Sequence, residues 1–282
     1  MRTAILFTGQ ERQFARVSQL IKSNLLEPNN VVVFLACETS NPSRLRDLFA
    51  GYEIGGHLLL PTFRTQEFAG LMSVMEGRPG LSEKVFDRSQ KHDGVAWSMG
   101  YLRTSGTILQ YYQVWKAWLM MVDYERKHGV RFDICVRARL DMILTERLDL
   151  VSFFSSIPES ETERRCLGNS RIRKFASRET NQYEHPHGTP LSDRTVWTLG
   201  QEQIWIMKRD LFDLFGQMVL SYGMWDSGLP IAFCSEAFFQ EFCLANSIVH
   251  YAVYESGNPL FNCSHPGADP VETDPYVFSL LR

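Results

Sequence analysis

The sequence predicts an α/β fold with a mostly parallel central sheet and helices on both faces. Short apolar runs typical of buried strands alternate with longer segments of helical periodicity, beginning with a strand over 3–7 and a helix over 13–25. A strand over 31–36, a helix over 43–49 and a short strand over 57–60 continue this alternation. The order is typical of a β-α-β-α-β unit, whose strands run parallel.

The clearest helix and strand lie next to each other in the middle of the chain. Apolar residues recur at steps of three and four from Ile108 to Val122, and Gly129 is suited to end that helix. Apolar and polar residues then alternate over 132–136, as in a strand, and Asp141 follows. Ligands of open α/β sheets bind beyond the carboxyl ends of strands, so Asp141 is the first candidate site residue.

The second half of the chain is less regular. Residues 61–105 predict short helices and a loop over the site, and the very polar residues 159–195 predict a mobile loop or lid. The remaining predicted elements are strands over 196–199, 203–207 and 248–254 and helices over 148–154, 210–220 and 235–245.

Composition limits the classes of partner. A net charge of −3 argues against a nucleic-acid protein, although a phosphate site needs only a few local cations. The six cysteines show no CxxC spacing and mostly lie in apolar runs, which predicts reduced, buried thiols and a cytoplasmic protein. No stretch approaches the ~20 apolar residues of a membrane span, and the first residues do not resemble a signal peptide.

The turn after the first strand is a candidate phosphate site of an unusual kind. Gly9 stands alone there without GxGxxG, and no GxxxxGK[ST] occurs, which excludes ordinary NAD enzymes and P-loop kinases. Thr8, Gly9, Gln10 and Arg12 follow the first strand. Gly9 permits close approach of a ligand to the backbone, and Arg12 offers a guanidinium fork for phosphate. The alternative is an ordinary strand–helix turn with a solvated arginine.

Two arginines precede Asp141 at the end of the central strand. A carboxylate beside Arg137 and Arg139 suits a metal ion and a polyphosphate. The two arginines are two residues apart on one strand face, so at least one is expected to face the site. The alternatives are ion pairs with neighbours such as Asp133, and an Asp141 carboxylate that only caps a strand–loop junction.

Five segments occur in an order that resembles a known family. They are AILFTGQERQF at 4–14, YYQVWKAW at 111–118, FDICVRARLDM at 132–142, GQEQIWIMKRDLFDLF at 200–215, and SEAFFQEF with LANSIV within 235–249. Together they resemble small soluble nucleotide-sugar-dependent glycosyltransferases of the GT-A type, found in polysaccharide gene clusters and in algae and their large DNA viruses. The resemblance covers most of the chain, with gaps at 61–100 and 159–195.

The resemblance implies a single Rossmann-like GT-A catalytic domain over 1–282, with a nucleotide-binding half of about 1–145 and an acceptor-side half of about 146–282. It implies transfer of a sugar from a nucleotide diphosphate donor, expected to be a UDP-sugar, to a hydroxyl of a glycan or glycoconjugate. GT-A enzymes commonly bind Mn²⁺ or Mg²⁺ through a DxD motif. Residues 139–141 read Arg-Leu-Asp, so only the second acid is present. Asp141 is the expected metal ligand, and Arg137 and Arg139 are alternative sources of charge neutralisation.

The resemblance also implies further site residues. Glu236, at a predicted helix start, is the expected general base, and Glu202 is the second candidate or a ligand of the donor sugar. His265 is a candidate third metal ligand from the C-terminal segment. Lys116 is a candidate phosphate contact, or else a solvated helix lysine.

Three further polar residues are weaker candidates for the site. Asp193 is a third candidate base, and the triplet His185-Pro186-His187 is expected in solvent. Two other functions fit the same pattern: a different Rossmann-like transferase of nucleotidyl or methyl groups, and a non-catalytic nucleotide- or carbohydrate-binding protein.

Overall fold

The computed structural model has the predicted alternation of strands and helices. It describes residues 1–12, 14–78, 91–92, 95–96, 106–142, 144, 147–151, 171–175, 195–199, 203–222, 238–239, 242–243 and 245–254. The strands are β1 (Thr3–Gln10), β2 (Val31–Glu38), β3 (Glu53–Leu60), β4 (Lys91–His92), β5 (Val95–Ala96), β6 (Ile134–Arg139), β7 (Arg171–Phe175), β8 (Thr195–Leu199), β9 (Ile204–Lys208) and β10 (Val249–Tyr254). The helices are α1 (Phe14–Ile21), a π-helical turn (Lys22–Leu26), α2 (Pro42–Leu48), α3 (Gln66–Glu76), α4 (Gly106–His128) and α5 (Arg209–Gly216).

One mixed sheet organises the described part of the chain. Its eight strands lie in the order β3-β2-β1-β6-β9-β8-β10-β7. The pairs β2–β3, β1–β2, β1–β6 and β8–β10 are parallel, whereas β6–β9, β8–β9 and β7–β10 are antiparallel. Four of the seven neighbouring pairs are therefore parallel, which confirms the predicted α/β fold with a mostly parallel sheet.

Helices cover both faces of the sheet, as predicted. Side chains alternate along β1, so that Leu6 packs with α3, α4 and α5 while Phe7 packs with α1 and α2. Phe14 of α1 meets Phe7 at a ring distance of 6.5 Å, and on the opposite face Tyr111 of α4 stacks on Trp205 at 6.0 Å. Because β2 is buried on both sides, its sequence VVVFLACE is almost continuously apolar.

Capping residues fix where the helices begin and end. Asn41 caps α2, since its side-chain oxygen accepts a hydrogen bond from the backbone N–H of Arg44 at 3.0 Å. Thr65 caps α3 by accepting from the N–H of Phe68 at 3.3 Å. Gly129 follows α4 with φ +61°, the left-handed conformation that glycine adopts most easily, which confirms its predicted role.

Several boundaries differ from the prediction. The helix predicted over 13–25 is an α-helix only over Phe14–Ile21 and continues as the π-helical turn. The central strand lies over Ile134–Arg139 and not over 132–136, because its pairing with β1 extends to Arg139 opposite Thr8. The polar segment 159–195, predicted as a loop, contains β7, which pairs with β10. Of the helix predicted over 235–245, the described residues 238–239, 242–243 and 245 are helical.

The cysteine prediction is confirmed for three of the residues. Cys37, Cys135 and Cys243 are buried and form no disulfide, and burial raises the pKa of the Cys37 and Cys135 thiols. Cys166, Cys234 and Cys263 lie outside the described residues. Within the part of the chain that the structure describes, no helix combines the length and the apolar character needed to cross a membrane.

His250 is expected to make the stability of the fold depend on pH. It is buried on β10, where Nε2 lies 2.7 Å from the Thr198 hydroxyl, and burial lowers the pKa of the imidazole to about 3. At a pH below about 6.5, the ordinary pKa of histidine, the unfolded chain binds a proton at His250 that the folded chain does not bind. We expect His250 to contribute a loss of about 1.4 kcal/mol of unfolding free energy per pH unit from pH 6.5 down towards pH 3.

Chemical unfolding of the wild type and His250→Gln between pH 4 and 7 measures this contribution. Glutamine keeps a partner for Thr198 but does not titrate, so the variant should have the shallower dependence. An equal slope in both proteins would show that His250 does not titrate with unfolding.

Candidate functional site

The topology places the ends of β1 and β6 at the reversal point of the sheet. From β1 the chain moves outward to β2 and β3, and α4 then returns it to β6 on the other side of β1. The three strands that neighbour one another here, β2, β1 and β6, are parallel, so their carboxyl ends share one edge. Ligands of open α/β sheets bind in the crevice at such a reversal. Arg12 follows β1 and Asp141 follows β6, so both lie at this edge of the sheet, where the rule expects the crevice.

Asp141 is held by two arginines, a group we call the guanidinium cluster (Arg12, Arg139 and Asp141). Arg139 donates from Nε to Oδ1 of Asp141 at 2.8 Å and from Nη2 to Oδ2 at 2.7 Å, the parallel geometry of a guanidinium fork. Arg12 donates from Nη1 to Oδ2 at 3.3 Å. The cluster therefore joins the ends of β1 and β6.

Exposure within the guanidinium cluster is uneven. The side chain of Asp141 is 2% exposed, whereas those of Arg12 and Arg139 are 32% and 27% exposed. A ligand that enters the crevice therefore meets guanidinium groups before it meets the carboxylate. This arrangement favours an anion such as a phosphate over a cation.

Gln10 connects the guanidinium cluster to the neighbouring strands. Its Oε1 accepts from Nε of Arg12 at 3.2 Å, and its Nε2 donates to Oε2 of Glu38 at 2.6 Å. The other oxygen of Glu38 accepts from the backbone N–H of Phe63 at 2.7 Å and from the Thr62 hydroxyl at 3.2 Å. Hydrogen bonds thus cross the carboxyl ends of β3, β2, β1 and β6.

The two arginines of the central strand have different roles. Arg137 is only 1% exposed, donates from Nε to the Thr8 hydroxyl at 2.9 Å and lies 4.7 Å from the Trp205 ring centroid. It is a buried cation of the sheet, and its hydrogen-bond partner Thr8 is buried as well. Arg139, one step nearer the strand end, reaches the crevice. Neither arginine pairs with Asp133, whose Oδ2 accepts from the backbone N–H of Arg2 at 2.6 Å.

Gly9 permits the backbone turn that brings Arg12 to the cluster. Its φ is +109°, a conformation that side chains with a Cβ rarely adopt. A Cβ placed there would meet no atom within 4 Å, so the constraint is conformational and not one of space.

Lys116 of α4 contacts α3. Its Nζ is 2.6 Å from Oε1 of Glu67 on α3 and 5.0 Å from the Trp115 ring centroid. The hydrogen bond from Lys116 lowers the pKa of Glu67, and burial together with Glu67 raises the pKa of Tyr112 to about 12. Lys116 therefore joins α4 to α3.

Other predicted site residues lie outside the described residues. They are Glu202, Glu236, His265, Asp193, His185 and His187. Their roles stay predictions.

The metal predicted at Asp141 does not fit the described donor set. Both carboxylate oxygens accept hydrogen bonds from Arg139, and a divalent ion there would have to replace that cation. Within the described residues no group of three or more His, Cys, Asp or Glu side chains is placed to hold a metal ion.

Glu38 is the participant that the sequence analysis missed. It directly follows the apolar run 31–37, so the rule that selected Asp141, an acid where a buried strand ends, also applies to Glu38. It is 7% exposed, because three donors surround its carboxylate.

Comparison with known proteins finds similarity among solved structures. No protein-family model and no curated protein sequence matches the chain. Among solved structures, the chain is similar to the apo crystal structure of mouse xyloside xylosyltransferase 1, with a TM-score of 0.36 and 9% identity over 89% of this chain and 84% of that one.

Proposed function

We propose that this chain is a glycosyltransferase that uses a nucleotide diphosphate sugar, and that the donor diphosphate binds at the guanidinium cluster. The observation that carries the proposal is the pair of partly exposed arginines fixed by a buried carboxylate at the reversal point of the sheet. The five sequence segments that resemble GT-A glycosyltransferases favour sugar transfer among nucleotide-dependent reactions. The expected donor is a UDP-sugar and the expected acceptor is a hydroxyl of a glycan or glycoconjugate.

The chemistry follows from the charge of the leaving group. As the bond between the anomeric carbon and the diphosphate breaks, negative charge accumulates on the departing phosphate oxygen. Arg12 and Arg139, already oriented by Asp141, would stabilise that charge by charge-assisted hydrogen bonds. The proposal contains no metal-dependent step, because the oxygens of Asp141 are engaged by Arg139.

Proton removal from the acceptor requires a base. Glu236 remains the first proposed base and Glu202 the second, with a role at the donor sugar as its alternative. In this proposal the donor side is formed by residues of about 1–145 and the acceptor side by about 146–282 within one catalytic domain.

The first test is donor binding and its dependence on Asp141. We expect the wild type to bind UDP or GDP in calorimetry with EDTA present, and Asp141→Ala to weaken binding at least about tenfold, because both arginines lose their common anchor. Turnover is measured as slow hydrolysis of the UDP-sugar or GDP-sugar, which is detected through the nucleotide that it releases. Full binding and turnover in Asp141→Ala would contradict the proposal. Donor binding that requires Mn²⁺ would instead support the metal site predicted at Asp141.

A non-catalytic binding protein is the second candidate function. Arg139 stands where a DxD motif has its first acid, and the remaining acid is neutralised by that same arginine. Donor binding without turnover across a broad panel of acceptors would favour this function. Binding of S-adenosylmethionine, or pyrophosphate release from a nucleoside triphosphate, would instead identify another nucleotide-using transferase.

A further inference from the structure

A directional series of hydrogen bonds ends at Arg12, and we call its three side chains the relay (Glu38, Gln10 and Arg12). Glu38 accepts from Nε2 of Gln10 at 2.6 Å, and Oε1 of Gln10 accepts from Nε of Arg12 at 3.2 Å. Nη1 of Arg12 then donates to Asp141 at 3.3 Å. The position of the Arg12 guanidinium is therefore set from both ends.

The chemistry of the outer members fixes the orientation of the amide between them. A carboxylate only accepts hydrogen bonds and a guanidinium only donates them. Gln10 can satisfy both only with its nitrogen towards Glu38 and its oxygen towards Arg12. Glu38 thus determines which atom of Gln10 faces Arg12, although Glu38 itself does not contact Arg12 in this series.

The contacts of Glu38 distinguish it from a ligand-binding acid. In dinucleotide-binding folds an acid at a similar place hydrogen-bonds the ribose. Here Oε2 faces Gln10, and Oε1 faces the N–H of Phe63 and the hydroxyl of Thr62. Both oxygens are directed to the protein, and Glu38 is 7% exposed.

We propose that Glu38 is a positioning residue for diphosphate binding, which acts through Gln10 to hold Arg12 in the guanidinium cluster. The inference rests on the proposed function, in which Arg12 contacts the diphosphate. A long arginine side chain that is held in place before the ligand arrives loses less conformational freedom on binding. Loss of the relay should therefore weaken diphosphate binding while the charge of Arg12 is retained.

An exchange of the two side chains tests the relay through its polarity. In Glu38→Gln two amides meet, and in every orientation one pair of donors faces each other at one of the contacts from the Phe63 N–H to Arg12. We expect Glu38→Gln to bind inorganic pyrophosphate and UDP about tenfold more weakly in calorimetry. Gln10→Glu alone should also bind more weakly, because its carboxylate faces that of Glu38.

The double variant Gln10→Glu/Glu38→Gln should recover binding to within about threefold of the wild type. In it the amide of residue 38 accepts from Phe63 and donates to residue 10, whose carboxylate accepts from Arg12. Thr39→Val is the matched control, since it removes hydrogen bonds at the same sheet edge without touching the relay. It should bind pyrophosphate like the wild type, whatever its thermal unfolding midpoint.

The outcomes separate this inference from the proposed function. If the wild type binds neither pyrophosphate nor UDP, both fail. If the wild type binds and Glu38→Gln binds equally well, or if the double variant stays as weak as Glu38→Gln, the relay alone is wrong. Should Glu38→Gln not fold, Gln10→Met carries the same test, because it removes the hydrogen bonds of residue 10 to Arg12 and Glu38. The contacts of Glu38 with Phe63 and Thr62 stay in place, and unchanged binding in Gln10→Met would likewise overturn the relay.

Discussion

Arg139→Ala is expected to weaken nucleoside diphosphate binding by about 100-fold or more, which corresponds to roughly 2.7 kcal/mol. Two losses combine. The diphosphate loses a guanidinium contact. Asp141, which is almost fully buried, loses one of its two arginine partners and keeps Arg12. The carboxylate that remains would repel the incoming anion. Calorimetric titration of the folded variant with UDP and GDP measures the effect.

Two further variants separate these losses. Arg139→Lys keeps the positive charge but lacks the fork that engages both oxygens of Asp141, so its affinity should lie between those of the wild type and Arg139→Ala. Arg139→Ala/Asp141→Ala should bind more tightly than Arg139→Ala, because the Asp141 carboxylate, which has lost one of its two arginines in Arg139→Ala, is gone. Unchanged affinity in Arg139→Ala would place the nucleotide elsewhere in the protein.

Glu125→Ala is expected to lower the free energy of unfolding by about 3–5 kcal/mol. Glu125, on α4, accepts from Nε and Nη2 of Arg209 at 2.9 and 2.7 Å and from the backbone N–H of Phe132 at 3.1 Å. Burial disfavours the charged guanidinium, yet hydrogen bonds to Glu125 and Asp213 hold the pKa of Arg209 above its ordinary value. Arg209 is 3% exposed. Removal of Glu125 would leave this buried cation with Asp213 and without its other carboxylate partner.

Denaturant unfolding of the variant and of two controls checks this expectation. Asp123→Ala removes an acid from the same helix that pairs with Arg126 and Lys127 in solvent, and it should leave the unfolding midpoint nearly unchanged. Glu125→Met/Arg209→Met removes both buried charges and should recover much of the lost stability. A midpoint for Glu125→Ala equal to that of the wild type would show that the buried pair does not hold α4, β6 and α5 together.

Local sequence patterns predicted most of the regular structure near the site. β1, β2 and α4 were predictable because buried strands require continuous apolar runs and a helix packed on a sheet repeats every three or four residues. The end of β6 was not predictable, because its last residues, Arg137 to Arg139, belong to the strand only through pairing with β1 and β9. β7 was missed for the same reason: its polar sequence is a strand through its pairing with β10.

The candidate site was predicted in part. An acid after a buried strand indicated Asp141, and the turn after β1 indicated Gln10 and Arg12. The sequence did not distinguish Arg137 from Arg139, because they share one face of the strand. Trp205 and the start of α4 cover Arg137, whereas Arg139 lies at the end of the strand and reaches Asp141.

The sequence by itself determined the α/β alternation and which polar residues follow each buried strand, because periodicity and strand ends are local properties of the chain. Only the tertiary structure decided the partners of those residues. Strand order brings Glu38, Gln10, Arg12, Arg139 and Asp141 to one edge from positions up to 131 residues apart, as numbered from 10 to 141. Whether the carboxylate of Asp141 faces a ligand or a guanidinium depends on that packing, since hydrogen-bond geometry is set by distances in space and not by separation along the chain.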